Sequence, residues 1–199
     1  MPELPANLPP ANLPPVTAVA AELAKRLDLA NCEYALGGAI ALAYWSEPRG
    51  TVDVDVSLFI SAVDPSQTID VLHRIDADFA ADAVRTSIET HGFCRVRFMG
   101  RVLDVFLPIA MIYEPGRLRR HRVNIDGYEA MIWDAETLCV FKMMFFRRKD
   151  LADLESILLT QGKSLDRSWI EQQLIAMYGQ RDPRIGQWRE LAAESEPEN

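Results

Sequence analysis

Two aspartates that stand two residues apart are the first sign of chemistry in this sequence. In the segment TVDVDVSLFI, Asp53 and Asp55 interrupt a run of valines. Such alternation predicts a β-strand, in which side chains two apart lie on one face, about 7 Å from each other. Ionised carboxylates at that separation repel each other unless a cation lies between them, and Mg²⁺ prefers oxygen ligands. The opposite face is predicted to pack in the core through Val52, Val54 and Val56.

A third aspartate, Asp104, lies in the segment RVLDVFLP among apolar residues. A carboxylate that only faces water is uncommon in such surroundings. If this strand lies beside the strand of Asp53 and Asp55, the three carboxylates converge. Three carboxylates can hold two metal ions, which clamp a phosphoryl group and lower the pKa of an attacking hydroxyl. We therefore predict that all three aspartates are metal ligands and catalytic residues.

A pair of glycines, Gly37 and Gly38, follows a short apolar run and precedes a helical segment. Backbone N–H groups at such a turn, together with the helix dipole, favour an anion such as a triphosphate. Arg49 and Thr51 stand shortly before the acids. Each motif alone also has a structural explanation, because glycines often serve turn geometry and an Asp-x-Asp pair can lie on a half-exposed edge strand.

The composition is that of an ordinary globular protein of 199 residues, half of them hydrophobic and a quarter charged. The net charge of -8 argues against binding nucleic acid through bulk charge, although basic runs occur at 117–122 and 147–149. The three cysteines have no metal-ligand spacing and are predicted to be buried core residues. No apolar run is long enough to span a membrane, and no export signal is recognisable, so we expect a cytoplasmic protein.

Three regions follow from the pattern of the elements that must position these residues. Residues 1–15 form a proline-rich arm, 16–133 an α/β core and 134–199 a helical region. In the core we expect a helix from residue 16, a helix capped by Asp64 and a strand hairpin that turns at Gly100. We also expect short strands around Asp126 and Gly127. After Asp134 three segments are predicted to be helical.

The order Gly-Gly, helix, Arg-x-Thr-x-Asp-x-Asp and a later lone Asp resembles the nucleotidyltransferase superfamily that includes DNA polymerase beta. The closer resemblance is to AbiEii-type bacterial nucleotidyltransferases, known as toxins of some toxin-antitoxin and phage-abortive systems. It covers roughly residues 30 to 160. Many members have Ser or Thr directly after the glycines, where this chain has Ala39 and Ile40.

The resemblance implies an α+β fold, in which flanking helices surround a small mixed sheet and a helical C-terminal region follows. It implies transfer of a nucleoside monophosphate from an NTP to a hydroxyl on RNA, such as tRNA, or on a protein. Mg²⁺ or Mn²⁺ would be the cofactor and an antitoxin a partner, with no membrane involved. Asp53 and Asp55 would bind the metals, Asp104 would help to activate the acceptor hydroxyl, and the two glycines would line the triphosphate.

Lys142 lies within the apolar helical segment LCVFKMMFF. A buried lysine is unfavourable without an anion as its partner. By the same resemblance Lys142 would bind the nucleotide phosphates, and the segment RKDLADL would contribute Lys149, Asp150 and Asp153. The alternative for Lys149 and Asp153, which are four residues apart, is a surface ion pair on one helix.

Two other functions stay open on the sequence alone. A nucleotide-binding or partner-binding module could keep the fold without turnover, as the missing hydroxyl after Gly38 suggests. An Asp-x-Asp pair also occurs as the metal clamp of sugar-nucleotide glycosyltransferases, although that reading leaves Asp104 and the glycine turn unexplained. The run of arginines at 117–122 could bind RNA phosphates or simply be solvated.

Overall fold

The structure is a computed structural model that describes residues 13–195. Residues 1–12, and with them most of the predicted proline-rich arm, lie outside the described part. The strands are β1 (Tyr34–Leu36), β2 (Asp53–Leu58), β3 (Phe93–Phe98), β4 (Arg101–Phe106), β5 (His121–Ile125) and β6 (Tyr128–Ile132). The helices are α1 (Val16–Leu29), α2 (Gly38–Trp45), α3 (Pro65–Arg74), α4 (Ala81–His91), α5 (Tyr113–Leu118), α6 (Ala135–Phe145), α7 (Arg148–Gln161), α8 (Arg167–Tyr178) and α9 (Pro183–Glu194).

The six strands form one mixed sheet in the order β3-β4-β2-β1-β6-β5. The pairs β2–β4 and β1–β6 are parallel, whereas β1–β2, β3–β4 and β5–β6 are antiparallel. Helices flank this sheet, and α6 to α9 follow its last strand. The predicted α+β fold with a small mixed sheet is therefore confirmed.

The register of the central strands separates a polar face from a buried one. Asp55 lies beside Asp104 across the parallel β2–β4 pair, and Arg95 lies opposite Asp104 across the β3–β4 hairpin. The alternate residues on the other face are buried in the core, among them Val54, Val56, Leu103 and Val105. Side chains alternate between the faces of a strand, so the three polar residues share one surface.

The prediction for Val52 is wrong. Its side chain is 74% exposed, and β2 begins only at the next residue, Asp53. The alternating pattern predicts a strand that begins too early, because the pattern holds no information about where pairing with the neighbouring strand begins. The core face of β2 is formed by Val54 and Val56, which are both buried.

Several predicted element boundaries are confirmed. The Asp64 side chain accepts a hydrogen bond from the Ser66 amide at 3.0 Å and caps α3. The β3–β4 hairpin turns at Gly100, and Asp126 and Gly127, both with positive φ, join β5 to β6. Asp134 caps α6 by accepting from the Thr137 amide at 3.1 Å.

Two helices were not predicted from the sequence, and two others were predicted as a single helix. The sequence gives little sign of α4, because only Val84 and Ile88 of its residues are buried. The short helix α5 was also missed. The segment predicted as a single helix after Asp134 is two helices, since Phe146 has a left-handed φ of +53° that ends α6. This break turns α7 back towards α6, and the two helices pack together.

The helices α6 and α7 also pack against α2, which follows β1 directly. This arrangement encloses the polar face of the central strands on the side where β1 ends and α2 begins. The three cysteines are buried and form no disulfide. In the described residues, no helix has the length and apolar character needed to traverse a bilayer.

Candidate active site

A cavity of about 480 Å³ opens between the polar face of the sheet and the helices α2, α6 and α7. Its volume lies in the range of small-molecule binding sites. Carboxylates from the sheet, cations from α6, α7 and the loop before β2, and apolar side chains line different parts of it. The predicted site residues that line it are Gly37, Gly38, Arg49, Thr51, Asp53, Asp55, Asp104, Lys142, Lys149 and Asp150.

Asp55 lies at the centre of the acidic side of the cavity. Burial raises the pKa of its carboxyl to about 6, and the negative charges of Asp104 and Asp53 act in the same direction. Among residues 13–195 no Lys or Arg forms an ion pair with Asp53 or Asp55. This side of the cavity therefore carries negative charge that a bound cation would offset.

Asp53 is held by the residue two positions before it. The Thr51 hydroxyl donates to a carboxylate oxygen of Asp53 at 2.5 Å, and the same hydroxyl lies 3.4 Å from the Asp53 amide nitrogen. Thr51 thus orients the carboxylate where β2 begins. A hydroxyl at this position supports the acid without neutralising its charge.

Gly37 and Gly38 form the turn between β1 and α2, against Asp55. The Gly37 amide donates a hydrogen bond to the Asp55 carbonyl oxygen at 2.9 Å. Gly38 has a φ of +53°, and a Cβ atom there would lie 2.6 Å from Cγ of Asp55 and closer still to a carboxylate oxygen. Only glycine meets both conditions. No side chain caps α2 and Ala39 lines the cavity, so the first turn presents backbone N–H groups to an anion.

The carboxylate of Asp104 is bound by a residue that sequence reasoning missed. The Arg95 guanidinium donates two hydrogen bonds to it, from Nε to Oδ1 at 2.6 Å and from Nη2 to Oδ2 at 2.8 Å. The Asp104 side chain is buried, whereas that of Arg95 is half exposed. The sequence does contain a signal for this pair. If residues are counted along both strands from the hairpin turn at Gly100, Arg95 is opposite Asp104.

Asp53 and Asp55 fit a hard divalent cation. Mg²⁺ in proteins is often held by one or two carboxylates and takes its other ligands from water and substrate phosphates. Two carboxylates without a cationic partner, one of them with a raised pKa, are such a donor set. Within 13–195 no group of three His, Cys, Asp or Glu side chains is placed to hold a metal ion. The metal role of Asp104 stays a prediction, and its carboxylate lies against Arg95.

A network of ion pairs forms the cationic side of the cavity. Lys142 is buried on α6 and forms an ion pair with Asp153, and its Nζ lies 3.9 Å from Oδ1 of Asp150. Arg49 binds the same Asp153 carboxylate through two hydrogen bonds of 2.8 and 3.0 Å. Although burial raises the pKa of Asp153, its contacts with Arg49 and Lys142 lower that pKa below its usual value.

Asp150 holds the start of α7. It accepts hydrogen bonds from the Arg147 backbone amide at 3.1 Å and from Nε of the Arg147 side chain at 2.6 Å. Lys149 is exposed and also lines the cavity. The alternative of a surface pair between Lys149 and Asp153 is wrong, because Asp153 is buried against Lys142 and Arg49 instead.

Apolar side chains line the rest of the cavity. Trp133, Tyr113 and Phe141 pack together with ring centroids 5.1 to 6.1 Å apart. A second group, which we call the apolar wall, lies beyond Asp104 on the β4–β3 side. The apolar wall consists of Phe93, Phe106, Ile109, Met144 and Phe145. None of these residues was recognised from the sequence, because aromatic residues at such spacings usually indicate ordinary core packing.

The arginine run at 117–122 is largely engaged within the chain. Arg117 and Arg120 both pair with Glu33, and Arg119 pairs with Asp134 at 2.5 Å. These contacts neutralise much of the charge that could have bound RNA phosphates. The run does not line the cavity.

No protein-family model and no curated protein matches this sequence. Among solved structures the chain is similar to the antibiotic-resistance factor ANT(2'')-Ia. The structure of that protein in complex with adenylyl-2''-tobramycin matches with a TM-score of 0.55 and 12% identity, over 81% of this chain and 95% of that one. Its solution structure matches with a TM-score of 0.54 and 11% identity, over 81% and 90%.

A further similarity is to an antigenic nucleotidyltransferase-like protein from Paracoccidioides brasiliensis, with 18% identity and a TM-score of 0.45 over 87% of this chain and 92% of that one. The similarity to ANT(2'')-Ia shows that this chain has a nucleotidyltransferase-like fold. The resemblance to the AbiEii family stays a prediction.

Proposed function

We propose that this chain is a metal-dependent nucleotidyltransferase, which transfers a nucleoside monophosphate from an NTP to a hydroxyl group. The observation that carries the proposal is the placement of Asp53, Asp55 and Asp104 on adjacent strands, with the Gly37–Gly38 turn against Asp55. The fold shared with ANT(2'')-Ia, which was solved with adenylyl-2''-tobramycin, supports it.

The triphosphate binds between the first turn of α2 and the cations of α6 and α7. Backbone N–H groups at Gly38 and Ala39 and the charges of Lys142 and Lys149 face that space. Asp153 and Asp150 hold the cationic groups in place. Asp53 and Asp55 would hold Mg²⁺ or Mn²⁺, which supplies charge for the phosphates and a lower pKa for the acceptor hydroxyl.

Asp104 accepts the proton of the acceptor hydroxyl. Arg95 fixes the carboxylate and uses one lone pair on each of its oxygens, which leaves further lone pairs for a proton. The acceptor oxygen forms a bond to the α-phosphorus while the bond from that phosphorus to the bridging oxygen breaks. Pyrophosphate leaves with the electron pair of the broken bond. Catalysis rests on positioning and on charge stabilisation.

The resemblance stated above extends this proposal to an acceptor on RNA or protein, a toxin role, a cognate antitoxin and a cytoplasmic location. No residue that lines the cavity supports these further proposals. The arginine run at 117–122 does not favour an RNA acceptor, because Arg117, Arg119 and Arg120 form ion pairs within the chain. The proposal therefore rests on the transfer reaction itself and leaves the acceptor as a hydroxyl.

Transfer of label from each α-³²P-labelled NTP into a cell lysate, with Mg²⁺ or Mn²⁺, tests the reaction. Wild-type protein should label a lysate component, and Asp53→Ala should not. Asp70→Asn, which changes an exposed carboxyl on α3, should label as wild type does. Equal labelling by wild type and Asp53→Ala, or no labelling with any NTP, would refute the enzyme.

One observation favours a second function, a nucleotide-binding module without turnover. The ion pair with Arg95 occupies Asp104, the predicted acceptor-activating acid. Calorimetry with Mg²⁺ and a non-hydrolysable ATP analogue separates the two. Tight binding by wild type and by Asp104→Asn, together with no transfer by either protein, supports the module. Transfer by wild type that is lost in Asp104→Asn supports the enzyme.

A further inference from the structure

The apolar wall is a feature of the cavity that the proposed reaction does not use. Phe93 and Phe106 face each other across the β3–β4 hairpin with ring centroids 4.9 Å apart. Phe145, at the end of α6, lies edge-on to Phe106 with centroids 6.0 Å apart. The wall thus combines rings from the sheet and from a helix into one surface.

Part of this surface is open. Ile109 is 63% exposed and Phe145 is 47% exposed, although both line the cavity. Large apolar side chains that stay exposed inside a concave site commonly mark a binding surface, because a bound apolar ligand removes them from water. The position of these two residues at the cavity indicates that a ligand with an apolar part covers them.

The sheet residues of the wall, Phe93 and Phe106, lie on the side of the acids opposite the Gly37–Gly38 turn. In the sheet order, the Gly37–Gly38 turn follows β1 on one side of β2, whereas β4 and β3 lie on the other side. Phe106 is two residues after Asp104 on the same face of β4, about 7 Å along the strand. An attacking group must approach the α-phosphorus in line with the leaving pyrophosphate. The acceptor therefore approaches from the β4–β3 side.

The charges on this side are balanced. Arg95 and Asp104 neutralise each other through two hydrogen bonds, which leave further lone pairs on the Asp104 oxygens for an acceptor hydroxyl. The Arg147 guanidinium, which lies 4.8 Å from the centroid of the Phe145 ring, is neutralised by Asp150. The remaining acids that line the cavity are Asp53 and Asp55, which the proposed metal engages, and Asp150, which is bound to Arg147. A ligand with several ammonium groups would find no carboxylate left for them near the wall. The charge pattern matches an uncharged ligand.

We propose that the apolar wall is the acceptor subsite and that the acceptor is an uncharged small molecule with a flat apolar ring and a hydroxyl group. The ring packs on Phe106 and Phe145, and the hydroxyl points to Asp104. This inference rests on the proposed transfer reaction, since it is that reaction which requires an acceptor. It adds the chemical class of the acceptor and the residues that select it.

Binding of 2-naphthol, a flat hydroxylated ring system, tests the inference by calorimetry in the presence of Mg²⁺ and a non-hydrolysable ATP analogue. Wild type should bind it saturably. Phe145→Ala and Phe106→Leu should each weaken that binding by about tenfold, because each removes ring contact area. Met111→Ala is the matched control, since Met111 is 69% exposed and apolar but does not line the cavity. All three variants should bind the ATP analogue within about twofold of wild type.

Tobramycin, which carries several amines, serves as the competing ligand class. Tighter binding of tobramycin than of 2-naphthol, or no binding of 2-naphthol to protein that binds the ATP analogue, would overturn the inference and leave the transferase proposal standing. An equal loss of ATP-analogue affinity in Phe145→Ala would show that the wall holds the nucleobase, which also overturns it. Failure of wild type to bind the ATP analogue would instead count against the proposed function. If Phe145→Ala does not fold, Phe106→Leu carries the test.

Discussion

The carboxylate of Asp55 lies directly against the backbone of Gly38, with no room for a side chain between them. The contact joins the turn that would bind phosphate to the strand that would bind metal. Because the Gly37 amide also donates to the Asp55 carbonyl oxygen, both backbone and side chain of Asp55 are placed by this turn. Two motifs that are separate in sequence are therefore one structural unit.

Gly38→Ala should damage the site more than its backbone strain alone explains. A left-handed φ costs an alanine about 1–2 kcal/mol, and the new methyl group would also displace the Asp55 carboxylate. The matched control is Gly127→Ala, because Gly127 in the β5–β6 turn also has a positive φ, of +87°, and has open space around its Cβ position. Urea unfolding should show a larger loss for Gly38→Ala, and Mn²⁺ binding followed by electron paramagnetic resonance should weaken only in that variant. Equal losses in both proteins would contradict the contact.

The raised pKa of Asp55 predicts how stability depends on pH without metal. The folded-state pKa is about 6, above the ordinary value of 3.8, so the folded protein binds this proton more tightly than the unfolded chain does. The resulting stabilisation is complete below the ordinary pKa and is lost as pH rises through about 6. Asp55→Asn removes this dependence. Urea unfolding in chelator should therefore show the variant gaining stability relative to wild type between pH 4.5 and pH 7.5, by roughly 1 kcal/mol or more.

The control for that experiment is Asp70→Asn, an exposed carboxyl on α3. Added Mg²⁺ should stabilise wild type at pH 7.5 but not Asp55→Asn, because the cation offsets the charge that the proton offsets at low pH. A stability difference between wild type and Asp55→Asn that does not change with pH would show that the Asp55 carboxyl is not protonated in this range.

The pairing of Arg95 with Asp104 predicts opposite effects of two substitutions on cation binding. Arg95→Gln removes the cation that neutralises Asp104. It should therefore raise the affinity of the site for Mn²⁺, whereas Asp104→Asn should lower that affinity. Without metal, Arg95→Gln should lower the free energy of unfolding by about 1 kcal/mol, since the guanidinium is half exposed. Arg97→Gln, two residues along the same strand face, is the control. Unchanged Mn²⁺ affinity in Arg95→Gln would mean that Asp104 does not contribute to the cation site.

Asp153 should be important for stability as well as for nucleotide binding. Asp153→Ala removes the carboxylate in direct contact with the buried Lys142, leaves only Asp150 at 3.9 Å, and should lower the free energy of unfolding by roughly 3 kcal/mol. Removing both charges in Asp153→Leu combined with Lys142→Met should restore part of that loss. Glu155→Gln, exposed on the same helix, is the control. Chemical unfolding of wild type, Asp153→Leu, Lys142→Met and the double variant gives the coupling energy. A double variant no more stable than Asp153→Ala would refute the pairing.

Much of the central sheet could be predicted from sequence because alternation and turn residues are local signals. The strand of Asp53 and Asp55, the hairpin at Gly100 and the cap at Asp64 all follow from neighbours in the chain. The sequence predicts that Asp104 lies near these acids only if the two strands are neighbours. Whether they are neighbours could not be predicted, since the pairing of two distant strands has no local signal.

The contacts of the charged residues were the least predictable part of the site. The sequence shows that Lys142 needs an anion, but only the packing of α6 on α7 decides that Asp153 provides it. In the same way Arg49 and Asp153 are far apart in sequence and meet through two hydrogen bonds. The apolar wall combines residues of a hairpin and of a helix end, and its members resemble ordinary core residues until the cavity beside them is known.

The parallel pairing of β2 with β4 has a consequence for folding. The helices α3 and α4 and the strand β3 lie between the two strands in the chain, so a long segment must close before Asp55 and Asp104 can meet. Closing such a segment costs chain entropy that only the finished sheet repays. A fragment that ends before β4 therefore lacks the acidic trio, however well its helices and its β1–β2 pair form. Assembly of the trio therefore requires the non-local pairing of β2 with β4, so a complete trio means that this part of the native topology has formed.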